Sequence, residues 1–342
     1  MSKPKKIYAI DLFCGVGGLT YGLQKAGISV LAGIDIDSNC EYPYQYNNRV
    51  KFICKDICKI TKNDINEIFP SDGLKLLAGC APCQPFSTYT QGRNDNKWKL
   101  VNEFSRLVQE TEPDFVTMEN VPSLIKHKAF RSLIKILDKC NYQYNYEIVD
   151  CTTIGLAQTR KRLVLIASKH SDIELLKPYN KEVKSLFDVI GKMEKIKAGE
   201  QSKNDPLHTA ASLTNINLKR IKQSKPGGTW RDWNSKIVTK CHKKHTGKFY
   251  SGVYGRLEWN KPSSTITTQF FGYGNGRFGH PEQNRALSIR EGALIQGFPK
   301  KYKFLEGNSS IKFTHLGRLI GNAVPPKLGH IIGNSIVKSL DY

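Results

Sequence analysis

Cys83 sits between two prolines in the run Gly79-Cys80-Ala81-Pro82-Cys83-Gln84-Pro85-Phe86-Ser87. Proline fixes its own φ and restricts the residue before it, so this backbone presents a thiol rather than folding it away. A thiolate is a strong nucleophile, and this one follows the apolar run Leu74 to Ala78, where open α/β sheets place ligands at strand ends. Two other chemistries share the pattern. Cys80 and Cys83 form a C-x-x-C pair suited to redox exchange or to half of a zinc site. Zinc needs further ligands, and the dense set of Cys241, His242 and His245 is far along the chain.

A carboxyl group and two arginines have comparable placements. In Phe115-Val-Thr-Met-Glu119-Asn120-Val121-Pro122 an apolar run ends in Glu119. A buried carboxyl with no partner keeps its proton and can donate it, the mark of a general acid; the alternative is a solvated or helix-capping glutamate. Arg160 and Arg162, in Gln158-Thr-Arg160-Lys-Arg162, fall on one face of an extended chain. They are able to clamp a base edge or a phosphate, or simply to guard a strand edge with charge. Near the start, Asp11-Leu-Phe13-Cys-Gly15-Val-Gly17-Gly18-Leu19 makes a Gly-rich turn between a strand and a helix, where backbone can approach a ligand. Thr20 stands where a dinucleotide fingerprint has its third glycine, which argues against NAD and an oxidoreductase. Asp35 ends the next apolar run, placed to accept ribose hydroxyls. A nucleoside cofactor without a pyrophosphate fits this set.

Groups so far apart in sequence need a scaffold to bring them together. Short apolar, β-branched runs supply one: Ile7 to Ile10, Ser29 to Ile34, Lys51 to Ile53, Leu74 to Ala78, Phe115 to Glu119, Tyr144 to Val149 and Arg162 to Ser168. Between them, Leu19, Leu23 and Ala26 share one helical face, and Phe104, Leu107 and Val108 another. The alternation predicts an α/β fold with a doubly wound, mostly parallel sheet over residues 1–175. From His170 the rhythm breaks, and Lys, Asn, Gly and Trp crowd the chain, predicting a smaller irregular domain over 176–313. Apolar spacing returns in 314–342, as a helix packing back on the first domain. The 342 residues carry 52 Lys and Arg against 30 Asp and Glu, a net charge of +22 that points to nucleic acid as the partner. Nine cysteines are too sparse for a disulfide scaffold and read as reduced thiols. No apolar run reaches the roughly 20 residues of a membrane span, and the start lacks an export signal, so a cytoplasmic, nucleoid-associated protein is expected.

Taken in order, these motifs resemble the DNA (cytosine-5) methyltransferases of the bacterial restriction-modification type. The likeness runs through DLFCGVGG, the Asp35 strand end, Lys55-Asp56-Ile57, APCQPFS, MENVP, QTRKR, Arg256 to Thr268 and Gly321-Asn322-Ala-Val324-Pro325-Pro326. It implies a Rossmann-like catalytic domain, a target-recognition domain over 176–313, and methyl transfer from S-adenosyl-L-methionine, leaving S-adenosyl-L-homocysteine. Carried over, it makes Cys83 the nucleophile, Glu119 the contact to the cytosine ring nitrogen and amine, and Arg160 and Arg162 supporting cations. Phe13, Gly15, Gly17, Leu19, Asp35, Ile36, Asp56, Ile57, Pro82, Leu100, Asn322 and Val324 would line the cofactor site, with no metal. The family often has Glu at Asp35 and an aromatic after it, so a shorter arm and aliphatic packing by Ile36 are expected here.

Double-stranded DNA is the implied partner, with the chain a monomer and a cognate restriction endonuclease acting separately. Ser87, Trp230, Arg231, Arg256, Thr265 and Arg277 are the candidate DNA contacts, Arg231 and Arg277 as base readers. The target base must be flipped to reach carbon 6, and the polar stretch Ser87 to Lys99 is expected to close over it. A tRNA cytosine-5 methyltransferase of the same family is the nearest alternative; a catalytically silent DNA-binding protein would need none of Cys83, Glu119, Arg160 or Arg162.

Overall fold

In the computed structural model, which describes residues 6–82, 98–177, 182–307 and 309–340, every apolar run named above forms a strand. The strands are β1 (Ile7–Leu12), β2 (Ser29–Asp35), β3 (Lys51–Cys54), β4 (Leu74–Gly79), β5 (Phe115–Asn120), β6 (Gln143–Asp150), the short β7 (Gln158–Thr159) and β8 (Lys161–Ser168). Seven of them make one sheet in the order β3-β2-β1-β4-β5-β8-β6. β1 to β5 are parallel, and β8 runs antiparallel between β5 and β6. The order reverses at β1 and β4, the switch point at which such sheets open a crevice at their carboxyl ends.

Both faces are apolar because side chains alternate. Leu74, Leu76 and Ala78 point into one core and Leu77 into the other; Val164 and Ile166 oppose Leu163, Leu165 and Ala167 in the same way. Helices α1 (Gly18–Lys25) and α2 (Glu41–Asn48) cover the first face, while α3 (Lys62–Ile68), α4 (Lys99–Thr111) and α5 (Lys128–Lys139) cover the second. α4 presents Val101, Phe104, Leu107 and Val108 on one buried stripe, the spacing expected of a surface helix.

The remaining helices are α6 (Leu186–Ile190), α7 (Asn215–Gln223), α8 (Lys240–Lys243), α9 (Ile289–Ile295), α10 (Phe313–Asn322) and α11 (Pro326–Lys338). The C-terminal segment is therefore two helices rather than the single one its apolar spacing suggests. Pro325 and Pro326 cannot continue α10, and Pro326 instead occupies the first turn of α11. α11 lies against α1 so closely that a Cβ on Gly22 would sit 2.4 Å from the Pro326 carbonyl oxygen. Between these ends the chain is held by short ladders, β7 with β10 (Ser263–Ser264) and β9 (Gly255–Arg256) with β11 (Arg277–Gly279). Leu186, Leu207, Leu257, Phe270 and Ile289 pack into the same core as α1, whereas Ile221, Trp233, Tyr273 and Ala286 form a small cluster of their own. Among the described residues no helix is long and apolar enough to cross a membrane.

Candidate active site

The register of the sheet places its candidate groups on one edge. Leu12 is opposite Ile34 of β2 on one side and Gly79 of β4 on the other, so the turns after β1, β2 and β4 emerge together. After β1 the chain bends through positive φ at Phe13 (56°), Gly15 (50°) and Gly17 (87°). Phe13 is strained in that region, whereas the two glycines enter it at no steric cost. The Gly15 amide donates to Asp35 Oδ2 and the Asp37 amide to Oδ1, each at 2.9 Å. Burial raises the pKa of Asp35, against the pull of these two amides. Space is open beside Gly15, where an added Cβ would meet nothing within 4 Å. Ile36, beside it, is 68% exposed although apolar.

Of the other expected cofactor residues, Leu19, Asp56, Ile57 and Pro82 follow β1, β3 and β4 in sequence. Asp56 caps a 3-10 turn (Ile57–Lys59) after β3, with Ile57 buried. Leu100 lies half-buried on α4, Leu19 is buried on α1, and Pro82 is half-buried just past β4. Asn322 is exposed at the end of α10, and the Val324 carbonyl comes so near Gly18 that a Cβ there would stand 2.1 Å away. Beneath the turn, Asp11 was not foreseen as part of the site. Thr20 Oγ1 donates to its Oδ2 at 2.7 Å, its Oδ1 is buried with no partner among the described residues, and burial pushes its pKa up to about 7. The open turn, the amide-held carboxylate and the exposed aliphatic fit a nucleoside cofactor.

The second group of residues gathers at the ends of β4, β5 and β8. Glu119 is 2% exposed, as its apolar strand predicts, yet it is not the partnerless carboxyl that would act as a stored acid. Arg162 Nε lies 2.9 Å from its Oε1, and Cys80 Sγ donates to Oε2 at 2.8 Å. The correction has a topological cause: β8 inserts antiparallel beside β5, which brings Arg162 alongside Glu119 from 43 positions downstream in the sequence. Arg160 does not share a face with Arg162 on one continuous strand, because the ladder breaks between β7 and β8. It is buried and donates to the carbonyls of Ile266 (3.2 Å) and Gly321 (3.4 Å). Burial first, and then Arg162, bring its pKa down to about 9.

Asn120 was another omission. Its side-chain amide donates to the Ala81 carbonyl at 3.1 Å, holding the chain two residues before Cys83. Its place beside Glu119 at a strand end was the available signal. Cys83, Ser87 and the rest of 83–97 lie outside the described residues.

The candidate DNA contacts are distributed differently. Thr265 Oγ1 donates to the Thr159 carbonyl. Arg256 is buried, donating to Gln283 O and Asn284 Oδ1. Arg277 Nη1 donates to the carbonyls of Gly227, Gly228 and Arg256, so that nitrogen holds loops together and is not available to a base. Trp230 and Arg231 brace a basic turn described below.

A phosphate- or nucleoside-binding α/β protein of many kinds would share the first turn; the pairing of that turn with a strand-end Cys and a held Glu narrows the choice. The sequence model of the C-5 cytosine-specific DNA methylases matches residues 7–338. The chain belongs to that family. This methylase is similar along nearly its whole length to a type II methylase, M.HgiDII, of Herpetosiphon aurantiacus, at 47% identity covering 97% of this chain and 95% of the relative. It is 30% identical to the type II methyltransferase M.Sau96I of Staphylococcus aureus, covering 99% of this chain and 77% of that one. The fold is also that of the S. pombe Dnmt2 methyltransferase, with a TM-score of 0.70 at 17% identity over 98% of this chain and 99% of the other. The protein is an enzyme, a DNA (cytosine-5) methyltransferase.

Proposed function

We propose that this methylase acts on a specific duplex DNA sequence as the modification half of a type II restriction-modification pair, flipping one cytosine and adding Cys83 to its carbon 6. The observation that carries the reading is the Glu119 carboxyl, buried, ion-paired with Arg162 at Oε1 and hydrogen-bonded by Cys80 at Oε2, with β4 lying between its strand and β1, which leads into the Gly15–Asp35 cradle. Carbon 5 of cytosine is a poor nucleophile. Addition of a thiolate to carbon 6 moves the ring's double-bond electron pair to carbon 5, which then reacts as an enamine. Glu119, held in place before the base arrives, hydrogen-bonds the pyrimidine edge and stabilises the charge that gathers there, an effect worth about 2.7–4 kcal/mol for one preorganised group. A free cysteine with pKa of about 8.5 is only about 3% thiolate at pH 7, so the step calls for a lowered pKa or a deprotonation concerted with the attack. Loss of the carbon 5 proton and departure of the Cys83 sulfur restore the aromatic ring.

S-adenosylmethionine, when bound, supplies an electrophilic methyl group. Asp35 would receive its ribose hydroxyls, Ile36 would pack on its adenine, and the Gly15 turn would admit its methionine end. The chain works as a monomer in the compartment of its DNA, and its cognate endonuclease is a separate protein. The test is covalent capture. Duplex DNA bearing 5-fluorocytosine at the target, incubated with S-adenosylmethionine, is expected to give a protein–DNA band stable to denaturation. Cys83→Ala protein should give none and should lose methyl transfer by orders of magnitude; retained transfer by that variant overturns the reading.

A further inference from the structure

Among the described residues, the exposure of large apolar side chains is greatest at Phe249 (73%), Ile36 (68%) and Tyr250 (61%). Ile36 has a reason to be bare, since it borders the cofactor cradle. Phe249 and Tyr250 have none in that site, and the chain goes to some length to hold them out. They end a tight turn, a 3-10 stretch (His245–Phe249) that follows α8. The turn closes on Gly247, where a Cβ would stand 1.8 Å from the Cys241 carbonyl oxygen. Its backbone is pinned from the other side by two neighbours in sequence. Trp230 Nε1 donates to the Tyr250 carbonyl at 3.1 Å, and Arg231 Nη2 donates to the Lys248 carbonyl at 3.0 Å.

The braces are themselves fixed. The Trp230 ring stacks on His242 with centroids 4.6 Å apart and planes at 8°, and the Arg231 guanidinium lies over the same indole at 5.4 Å. His242 is buried, its Nδ1 3.2 Å from the Gly247 carbonyl. A carbonyl only accepts, so Nδ1 carries the hydrogen and ties the ring to the turn. Around the two aromatics stand exposed Lys240, Lys243, Lys244 and Lys248, none of which has an acidic partner among the described residues.

We propose that the Phe249–Tyr250 turn is a rigid aromatic blade that enters the base stack of the substrate DNA, with the surrounding lysines seated on phosphates. Apolar side chains inserted at a base step unstack and kink a duplex, and aromatic rings stack on bases without regard to sequence. The blade therefore contributes distortion and affinity rather than base-edge readout. Trp230 and Arg231 serve it as braces and are not readers themselves. The inference rests on the proposed action on duplex DNA and adds a contact to it.

The test uses the full chain and a duplex carrying its methylation site, found by bisulfite sequencing of DNA from expressing cells, with 2-aminopurine placed in turn at each step in and around the site. Wild type is expected to raise fluorescence at a step away from the target cytosine. Phe249→Ala with Tyr250→Ala should lose that signal and bind at least about tenfold more weakly, the scale of one lost base stack, with an unchanged slope of log affinity against log salt. Lys243→Gln with Lys248→Gln should instead flatten that slope and keep the fluorescence. Because both aromatics are solvent-exposed, thermal melting of the variant is expected to match wild type, and Phe249→Trp, which keeps a stacking face, should retain the signal. Wild-type affinity and fluorescence in the double alanine variant overturn the blade, as does a variant whose sole defect is loss of self-association. Wild-type protein that neither binds nor methylates any duplex would overturn the functional reading instead.

Discussion

The parallel sheet and the irregular region from Leu207 to Arg290 meet the same requirement, partners for backbone carbonyls in a dry interior, by different means. In the sheet the partners are neighbouring strands. In the irregular region arginine side chains join the backbone amides in that role. Arg277 serves three carbonyls, Arg285 serves those of Ile196 and Ala286, Arg220 that of Ile237, and Arg290 that of Tyr302. Part of the +22 charge is thus structural, and the arginines of this region are not a reserve of free DNA contacts. A fold made this way tolerates Gly-rich, polar sequence because it does not depend on apolar alternation. Its vulnerable points are single buried cations and their one buried counter-ion.

That contrast is tested most severely at Glu291. Its carboxylate accepts from both terminal nitrogens of the Arg285 guanidinium at 2.7 Å, and both residues are fully buried. Glu291→Gln should cost about 3–5 kcal/mol in urea unfolding, since it strands a buried cation. An unchanged midpoint would mean the arginines are not what holds this region. Acid should attack the same place. Burial alone would raise the Glu291 pKa, but Arg285 brings it down to about 2, so its contribution is whole above the usual value near 4.5 and disappears as pH falls through about 2. His280 beside it is depressed to about 4 by burial, so its share is whole above about 6.5 and is lost as pH drops through about 4. Asp11, raised to about 7, works in the opposite sense between about pH 7 and 3.8, so the loss is read as the stability difference between wild type and Glu291→Gln, which should shrink as pH falls from about 4.5 toward 2.

On the sheet side the largest expected effect is on rate. Glu119→Gln should lower kcat about 10²–10³-fold while S-adenosylmethionine binding, measured by calorimetry, stays near wild type. Equal losses in both would place Glu119 in the scaffold instead. Arg277→Met distinguishes a loop clamp from a base reader: about 1–3 kcal/mol of stability should go with the carbonyl bonds, and the methylated sequence should stay the same. A variant as stable as wild type but relaxed in sequence preference would restore Arg277 to the readers.

Gly22→Ala probes the α1–α11 contact, where the added methyl should overpack and lower stability by about 1–3 kcal/mol. The smallest effect belongs to Cys80→Ala. Removing the thiol donor from Glu119 Oε2 should cost about 0.5–1.5 kcal/mol in kcat/KM, with Cys80→Ser recovering most of it. Full activity in the alanine variant would reduce Cys80 to packing.

Much of the sheet could be read from the chain alone. Period-two alternation places Ile7, Leu74, Phe115 and Leu163 on strands whatever their neighbours, because side-chain direction in a strand is local geometry. The turn at Gly15 and the strand-end position of Glu119 are legible for the same reason. Strand order, in contrast, decides which charges meet. The run ending in Glu119 carries no mark that Arg162 will lie 2.9 Å away, and burial reasoning by itself predicts a lone acid. Arg231 and Arg277 look alike as basic residues in Gly-rich segments, yet whether a guanidinium faces a ligand or a carbonyl depends on which loops pack beneath it. Residue type and spacing determined the family, the elements and the chemistry on offer here. Only the tertiary structure decided the electrostatic partners, since Coulombic and hydrogen-bond contacts form between groups distant in sequence, and their strength depends on burial that no local pattern encodes.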